Sequence, residues 1–193
     1  MNLPNAITVS RLFLTAGFIL FVTKESTWGY FVALILFIIA AISDFVDGWL
    51  ARKMNQVTPL GKLLDPLADK ILVCSAFVFL SAEGLCPVWV TTLIMGREFL
   101  VTGLRQIAIE AGQVIAADRL GKWKTAFQLT YLIAGMIKLT LDKMESVEPP
   151  LSYLYNLTNG AWLLPISLVL AVGLTVISGW NYIWSSRYLL RGN

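Results

Sequence analysis

The sequence predicts an all-α membrane protein with six transmembrane helices and a short amphipathic segment at its N-terminus. The chain has 193 residues, of which 57% are hydrophobic and only 14% are charged. Soluble domains carry about 25% charged residues, so this chain cannot cover an ordinary water-facing surface. Its apolar residues form continuous runs instead of alternating with polar ones, which excludes membrane-spanning strands.

Composition excludes several functional classes. The net charge of +3 is too small for a phosphate-reading surface, so we expect no nucleic-acid partner. Histidine is absent, which removes every mechanism that needs imidazole as base, nucleophile or metal ligand. Cys74 and Cys86 would lie about 18 Å apart along a continuous helix, too far for a disulfide, and are predicted to be free buried thiols.

Six apolar runs are long enough to cross a membrane, because a helix needs about 20 residues to span about 30 Å of hydrocarbon. They make up one domain over residues 1–193. The longest polar stretch, 142–160, contains two prolines and a glycine and is predicted to be an external loop. The six runs are approximately 8–23, 29–50, 63–82, 88–110, 121–141 and 161–186.

Basic residues between the runs predict the orientation, because cytoplasmic loops are enriched in lysine and arginine. Segments 51–62 and 112–124 and the C-terminal end are basic, whereas segment 24–28 has one lysine and segment 82–87 has no basic residue. Both termini are therefore predicted to be cytoplasmic, in agreement with an even number of crossings.

Aspartates near the ends of two runs are the strongest functional signal, because an ionisable residue costs about 2.5–3.5 kcal/mol inside a membrane. Asp44 and Asp47 are spaced i,i+3, and Asp65 and Asp69 are spaced i,i+4, so each pair shares one helix face. The connection between the two helices is short, which makes them antiparallel neighbours with the four carboxylates at one end. Their repulsion would be relieved by hard divalent cations, Mg²⁺ or Mn²⁺, and two such ions suit phosphoryl transfer.

Small and basic residues accompany these aspartates. Gly48, Ala51 and Gly61 would let a bulky ligand such as a nucleotide approach the backbone, and Arg52 offers a guanidinium for phosphate. Helix packing is the ordinary alternative for a single small residue. Four further basic residues lie on the fourth and fifth runs, where they could bind an anion, pair with Glu98 and Glu110, or anchor the helices: Arg97, Arg105, Lys122 and Lys124.

The pattern Asp44-x-x-Asp47-Gly48-x-x-Ala51-Arg52, followed after eight residues by Gly61-x-x-x-Asp65-x-x-x-Asp69, resembles the motif of the CDP-alcohol phosphotransferase family at every position. The resemblance implies a six-helix membrane fold and two divalent metal ions held by the four aspartates. It also implies that Asp69 is the base that deprotonates the acceptor alcohol. The residues implied to bind the CDP-lipid are Asn5, Thr8, Gly48, Ala51, Arg52, Thr58 and Gly61.

From Asn2 to about Thr125 the chain is most similar to bacterial members of that family that use glycerol 3-phosphate; residues 126–193 match only in hydropathy. The similarity implies transfer of a phosphatidyl group from CDP-diacylglycerol to sn-glycerol 3-phosphate in phospholipid biosynthesis. It further implies a homodimer in the bacterial cytoplasmic membrane, with its active site facing the cytoplasm. The residues expected to bind glycerol phosphate are Arg97, Arg105, Lys122 and Lys124.

Two alternatives stay open at the level of sequence. The first is the same chemistry with another acceptor, namely an inositol phosphate, serine or phosphatidylglycerol. The second is a cation-coupled transporter that uses the same carboxylates. The second is disfavoured because no internal repeat is visible and the acidic residues lie near one membrane face instead of the midplane.

Overall fold

The structure is a computed structural model that describes residues 3–54, 59–110, 112, 119–144, 151–160 and 162–187. Side chains are described over the same ranges except at 3–7, 44–54, 59–66, 69, 110 and 119. Within these ranges the chain forms seven helices and no strand, which confirms the all-α prediction. The helices are α1 (Leu3–Val22), α2 (Thr27–Met54), α3 (Pro59–Ala82), α4 (Val88–Glu110), α5 (Arg119–Asp142), α6 (Leu151–Asn159) and α7 (Leu163–Ser185).

Six of these helices coincide with the six predicted apolar runs, but they differ in how far their apolar part extends. In the described part of the chain, only α7 is long and apolar enough by itself to cross a membrane. The described apolar parts of α1, α2 and α3 are shorter: Thr8–Val22, Thr27–Ser43 and Lys70–Ala82. Six crossings therefore stay a prediction at this stage.

The N-terminal segment is not a separate element, in contrast to the prediction. Helix α1 runs without a break from Leu3 to Val22. Pro4 lies in the first turn, where its missing N–H would have had no partner in the helix, so it does not prevent an early helix start.

The predicted external loop 142–160 contains a helix, α6, that the hydropathy pattern did not predict. The Gly160 amide donates to the Asn156 carbonyl oxygen at 2.8 Å, and Lys138 Nζ donates to Asn159 Oδ1 at 2.7 Å, which connects α6 to α5. Thr158 is buried, and α6 contacts both α5 and α7. A nine-residue helix is too short and too polar for a search based on apolar runs, so tertiary contacts decide its presence.

Two tight turns make α1–α2 and α3–α4 antiparallel pairs. Glu25 has φ +49° in the first turn and Gly84 has φ +75° in the second. The amides of Leu85 and Cys86 both donate to the Leu80 carbonyl oxygen, at 2.9 and 3.1 Å, and so end α3. Glycine adopts this left-handed conformation without steric cost, which allows α3 to stop abruptly.

The apolar core lies in the half of the bundle that carries these two turns. Aromatic rings from α1, α2 and α3 meet there, with Phe18 5.9 Å from Phe37 and 6.2 Å from Phe79 between ring centroids. Phe77 of α3 stacks with Tyr131 of α5 at 6.1 Å. Cys74 and Cys86 are both buried, and neither forms a disulfide, as predicted.

The exterior of the bundle is apolar while much of its interior is polar. Large hydrophobic side chains are exposed on all seven helices, including Phe13 at 75%, Trp28 at 77% and Tyr153 at 72%. Water-soluble monomers rarely expose apolar surface on this scale. Polar residues are instead buried between the helices: Thr8, Arg11, Thr15, Thr91, Lys124, Gln128, Thr140, Thr158, Ser167, Thr175, Ser178 and Ser186.

Candidate active site

The aspartate motif lies on the C-terminal part of α2 and the N-terminal part of α3. Both segments are helical, so the i,i+3 and i,i+4 spacings apply to real helices, and α2 and α3 contact each other. Thr58 lies outside the described residues. The side chains of the other motif positions also lie outside them, as does that of Asn5: Asp44, Asp47, Gly48, Ala51, Arg52, Gly61, Asp65 and Asp69.

The N-terminal candidate Thr8 has a described side chain, and it is buried in the bundle with 1% exposure. One turn further along α1, Arg11 is also 1% exposed, and Thr15 Oγ1 donates to the Arg11 carbonyl oxygen at 2.8 Å. The N-terminal half of α1 therefore presents buried polar side chains to the neighbouring helices.

A buried network of charges joins α4 and α5. Lys124 Nζ donates to Glu98 Oε1, and Arg97 Nη1 donates to the same oxygen at 3.4 Å. Lys124 is 3% exposed, and the side chains of Arg97 and Glu98 are 10% and 16% exposed. Because an unpaired charge in such surroundings is costly, Glu98 compensates part of the positive charge of its two neighbours.

Helix α7 supplies the remaining partners of the two arginines. Arg97 Nη2 donates to Ser178 Oγ at 3.0 Å, and Arg105 Nη2 donates to the Tyr182 hydroxyl at 2.6 Å. The Tyr182 ring centroid lies 5.7 Å from Arg97 Cζ and 5.8 Å from Arg105 Cζ. The residues from α4, α5 and α7 together form one group, which we call the basic cluster: Arg97, Glu98, Arg105, Lys124, Ser178 and Tyr182.

Of the four basic residues predicted to bind glycerol phosphate, the structure brings three together. Arg97, Arg105 and Lys124 belong to the basic cluster, whereas Lys122 is exposed on α5. Two residues along a helix correspond to about 200° of rotation, so Lys122 and Lys124 face opposite sides of α5. Sequence analysis offered pairing with Glu98 as an alternative role for Arg97. The structure shows this pair, and the pair lies inside the basic cluster.

Lys70 connects the basic cluster to the aspartate-bearing end of α3. It follows Asp69 directly in the chain and lines a cavity of about 30 Å³ whose other polar walls are Glu98, Thr125 and Gln128. This volume suits about one water molecule. The basic cluster therefore lies next to the part of α3 that carries the motif.

The contributions of α7 were not predicted from sequence, although a signal was present. The most apolar helix carries small and hydroxyl-bearing residues at intervals of three and four, and all of them are buried. Such a stripe on an apolar helix indicates a face turned toward polar neighbours. The residues of this stripe are Ser167, Ala171, Thr175, Ser178, Gly179 and Tyr182.

The fold and the site define a helical membrane enzyme, with an apolar exterior and charged groups buried between its helices. The sequence model of the family described as CDP-alcohol phosphatidyltransferase matches residues 1–177. The chain belongs to this family, and the resemblance seen in the motif is confirmed.

Several curated bacterial proteins are similar to the chain over nearly its whole length. A protein named CDP-diacylglycerol–glycerol-3-phosphate 3-phosphatidyltransferase from Bacillus subtilis (strain 168) is 39% identical, over 94% of this chain and 93% of its own length. Proteins of the same name from Pseudomonas fluorescens and Cereibacter sphaeroides are 36% and 32% identical. These alignments cover 95% and 94% of this chain and 89% and 93% of the relatives.

Proposed function

We propose that the protein transfers the phosphatidyl group of CDP-diacylglycerol to sn-glycerol 3-phosphate, giving phosphatidylglycerophosphate and CMP. The similarity to relatives named for this reaction supports the proposal. The structural observation that carries it is the position of the basic cluster, which Lys70 connects to the motif-bearing end of α3. A phosphorylated acceptor and a nucleotide-activated lipid would then meet at neighbouring sites.

The charge of the basic cluster suits an anionic acceptor. Arg97, Arg105, Lys124 and Lys70 are countered by Glu98 alone among the side chains described around the cavity and the cluster. An excess of positive charge between apolar helices attracts a phosphate dianion strongly, because screening by water is weak there. A neutral acceptor such as serine would not compensate this charge. An inositol phosphate would, and it is therefore the acceptor to compare first.

The motif residues fit a pair of divalent metal ions. We propose that Asp44, Asp47, Asp65 and Asp69 hold two Mg²⁺ or Mn²⁺ ions, since carboxylate oxygens suit hard cations and the chain has no histidine. The continuous helices through both aspartate pairs support this arrangement. When bound, such ions neutralise diphosphate charge and polarise the phosphorus–oxygen bonds.

The protein's own residues would carry out the remaining steps. Arg97 and Arg105 hold the acceptor phosphate, while Lys124 acts through its pair with Glu98 and Lys122 attracts the dianion from the surface. Asp69 takes the proton of the C1 hydroxyl, whose oxygen forms a bond to the β-phosphorus as the bond from that phosphorus to the CMP oxygen breaks. The residues proposed to bind the CDP-lipid are Asn5, Thr8, Gly48, Ala51, Arg52, Thr58 and Gly61.

We further propose that α1–α5 and α7 cross the bacterial cytoplasmic membrane as one domain, with both termini and the active site on the cytoplasmic side. Exposed tryptophans support this arrangement, because tryptophan is enriched at membrane interfaces. Trp28, Trp89 and Trp162 mark the end that carries α6, and Trp123 and Trp184 mark the opposite end. The family resemblance implies a homodimer.

The test is an acceptor screen with purified protein in detergent. CDP-diacylglycerol is mixed with Mg²⁺ and with glycerol 3-phosphate, serine, an inositol phosphate or phosphatidylglycerol, and CMP release is measured. We expect release with glycerol 3-phosphate at a rate at least roughly 100-fold above the others, since discrimination built on buried polar groups reaches or exceeds this level. Chelation should abolish release, and added Mg²⁺ or Mn²⁺ should restore it. Full activity after chelation would refute the metal assignment, and a better acceptor would refute the substrate assignment.

A further inference from the structure

We propose that Tyr182 is a positioning residue that holds Arg97 and Arg105 in place for the acceptor phosphate. The inference rests on the proposed function and adds to it a residue of α7 that lies beyond residues 1–177, the part matched by the family model. Tyr182 is 5% exposed and belongs to the buried stripe of α7. Its ring and its hydroxyl contact the two arginines in different ways.

The ring of Tyr182 attracts both guanidinium groups. Arg97 and Arg105 are eight residues apart on α4, which corresponds to about 12 Å along the helix. Both Cζ atoms nevertheless lie within 6 Å of one ring centroid, at 5.7 and 5.8 Å. Each cation is attracted by the aromatic ring, so two like charges are held near each other without direct contact.

The hydroxyl of Tyr182 fixes the orientation of Arg105. It accepts a hydrogen bond from Nη2 at 2.6 Å. Arg105 as a residue is exposed, so without this bond its long side chain would sample many rotamers. One N–H is therefore used for orientation, and no other hydrogen bond ties the guanidinium to the described side chains, so its other donors can bind a soluble phosphate.

Arg97 has a buried donor that would suit the same ligand. Its Nη1 and Nη2 groups are bound to Glu98 and Ser178, but its Nε has no hydrogen-bond partner among the described residues. Arg97 packs directly against the backbone of Gly179, since a Cβ there would lie 3.1 Å from Arg97 Cγ and 3.9 Å from Nε. Buried donors are rarely left unpaired, so an acceptor oxygen at this point is the expected partner.

The inference is tested with Tyr182→Phe, which keeps the ring and removes the hydroxyl, and with Tyr182→Leu, which removes both. We expect Tyr182→Phe to raise the KM for glycerol 3-phosphate roughly three- to tenfold, as for loss of one hydrogen bond that orients a charged group. The KM for CDP-diacylglycerol should change less than about twofold. Tyr182→Leu should have the larger effect on the acceptor KM.

Tyr131→Phe is the matched control. Tyr131 is also buried, and its hydroxyl donates to the Leu85 carbonyl oxygen at 2.9 Å, at the other end of the bundle. Loss of the Tyr131 hydroxyl should lower the unfolding temperature and leave both KM values unchanged. Equal increases of both KM values in Tyr182→Phe, or a KM for glycerol 3-phosphate equal to that of the wild type, would overturn the inference.

A binding measurement separates this inference from the proposed function. Glycerol 3-phosphate should raise the unfolding temperature of the wild type and of Tyr131→Phe, and raise that of Tyr182→Phe less at the same concentration. If the wild type binds glycerol 3-phosphate more strongly than Tyr182→Phe but releases no CMP, the proposed reaction is refuted and the role of Tyr182 is supported. A wild type that releases CMP, with Tyr182→Phe showing wild-type binding, would refute only the role of Tyr182.

Discussion

Lys124 on α5 donates a hydrogen bond to Glu98 on α4, and both members of this ion pair are largely buried. Helices with apolar exteriors gain little from hydrophobic contact with one another in a membrane, where lipid is equally apolar. A buried polar pair therefore selects which sides of α4 and α5 face each other. The same Glu98 oxygen also accepts a hydrogen bond from Arg97 Nη1 at 3.4 Å, so the contact that orients the helices also shapes the basic cluster.

The first prediction concerns the stability of this pair. Glu98→Gln should lower the free energy of unfolding by about 3–5 kcal/mol, because it leaves the Lys124 charge buried without its main partner. Lys124→Met in the same chain should recover most of that loss, since it removes the remaining charge. Denaturant unfolding in detergent of both single variants and the double variant measures the coupling. Additive effects of the two substitutions would contradict the prediction.

The second prediction concerns two glycines of α7. Gly179→Ala should displace Arg97, because the new Cβ would lie 3.1 Å from Arg97 Cγ, and so raise the KM for glycerol 3-phosphate by roughly threefold or more. Gly173→Ala is the control on the same helix, since no side chain or neighbouring helix in the described part of the chain lies within 4 Å of its Cβ position. Gly173→Ala should leave both KM values unchanged and increase the free energy of unfolding by up to about 1 kcal/mol. The same change in the KM for glycerol 3-phosphate in both variants would contradict the prediction, because it would show a general effect of substitution in α7 and no local effect on Arg97.

The third prediction concerns the proposed base. Asp69→Asn should reduce kcat by at least roughly 100-fold, the usual contribution of a general base, while the protein stays folded. Asp142→Asn is the matched control, because Asp142 lies at the other end of the bundle and pairs with Lys138 at 3.0 Å. CMP release and the unfolding temperature are measured for both. Substantial activity in Asp69→Asn would remove this residue from the role of base.

The fourth prediction concerns the acceptor phosphate. Arg105→Ala should raise the KM for glycerol 3-phosphate by roughly tenfold or more and change the KM for CDP-diacylglycerol much less, since it removes a charged hydrogen-bond donor from one substrate only. Arg187→Ala serves as control, because Arg187 contacts the Trp184 ring at 4.6 Å and not the basic cluster. Steady-state kinetics with each substrate varied in turn give the KM values for both substrates in both variants. Similar effects on both KM values would argue against an acceptor-site role for Arg105.

Whether a helix could be predicted from the sequence depended on the length of its apolar run. Helices α1–α5 and α7 lie near the positions predicted from apolar runs of about 20 residues, because the length of such a run can be counted in the sequence. Helix α6 was missed because it depends on contacts with α5 and α7 and on the bond between Lys138 and Asn159. The continuous start of α1 at Leu3 was not predicted, because the first apolar run begins only at about residue 8 and the residues before it were assigned to an amphipathic segment.

The candidate site divides in the same way. The spacing of Asp44, Asp47, Asp65 and Asp69 along two helices could be read from the sequence, since residues three and four apart share a helix face. That Arg97 and Arg105 of α4 would both meet Tyr182 of α7 could not be read, because the two helices are far apart in the chain.

The sequence by itself determined the helical class, the apolar exterior and the family, because these depend on composition and on spacings within one or two neighbouring helices. Only the tertiary structure decided that Lys124 faces Glu98 while Lys122 faces outward, and that α7 completes the basic cluster. The physical reason is that the rotation of each helix about its axis is set by contacts with partners elsewhere in the chain. Hydropathy defines where a helix lies, and buried polar contacts define which of its faces meets a neighbour.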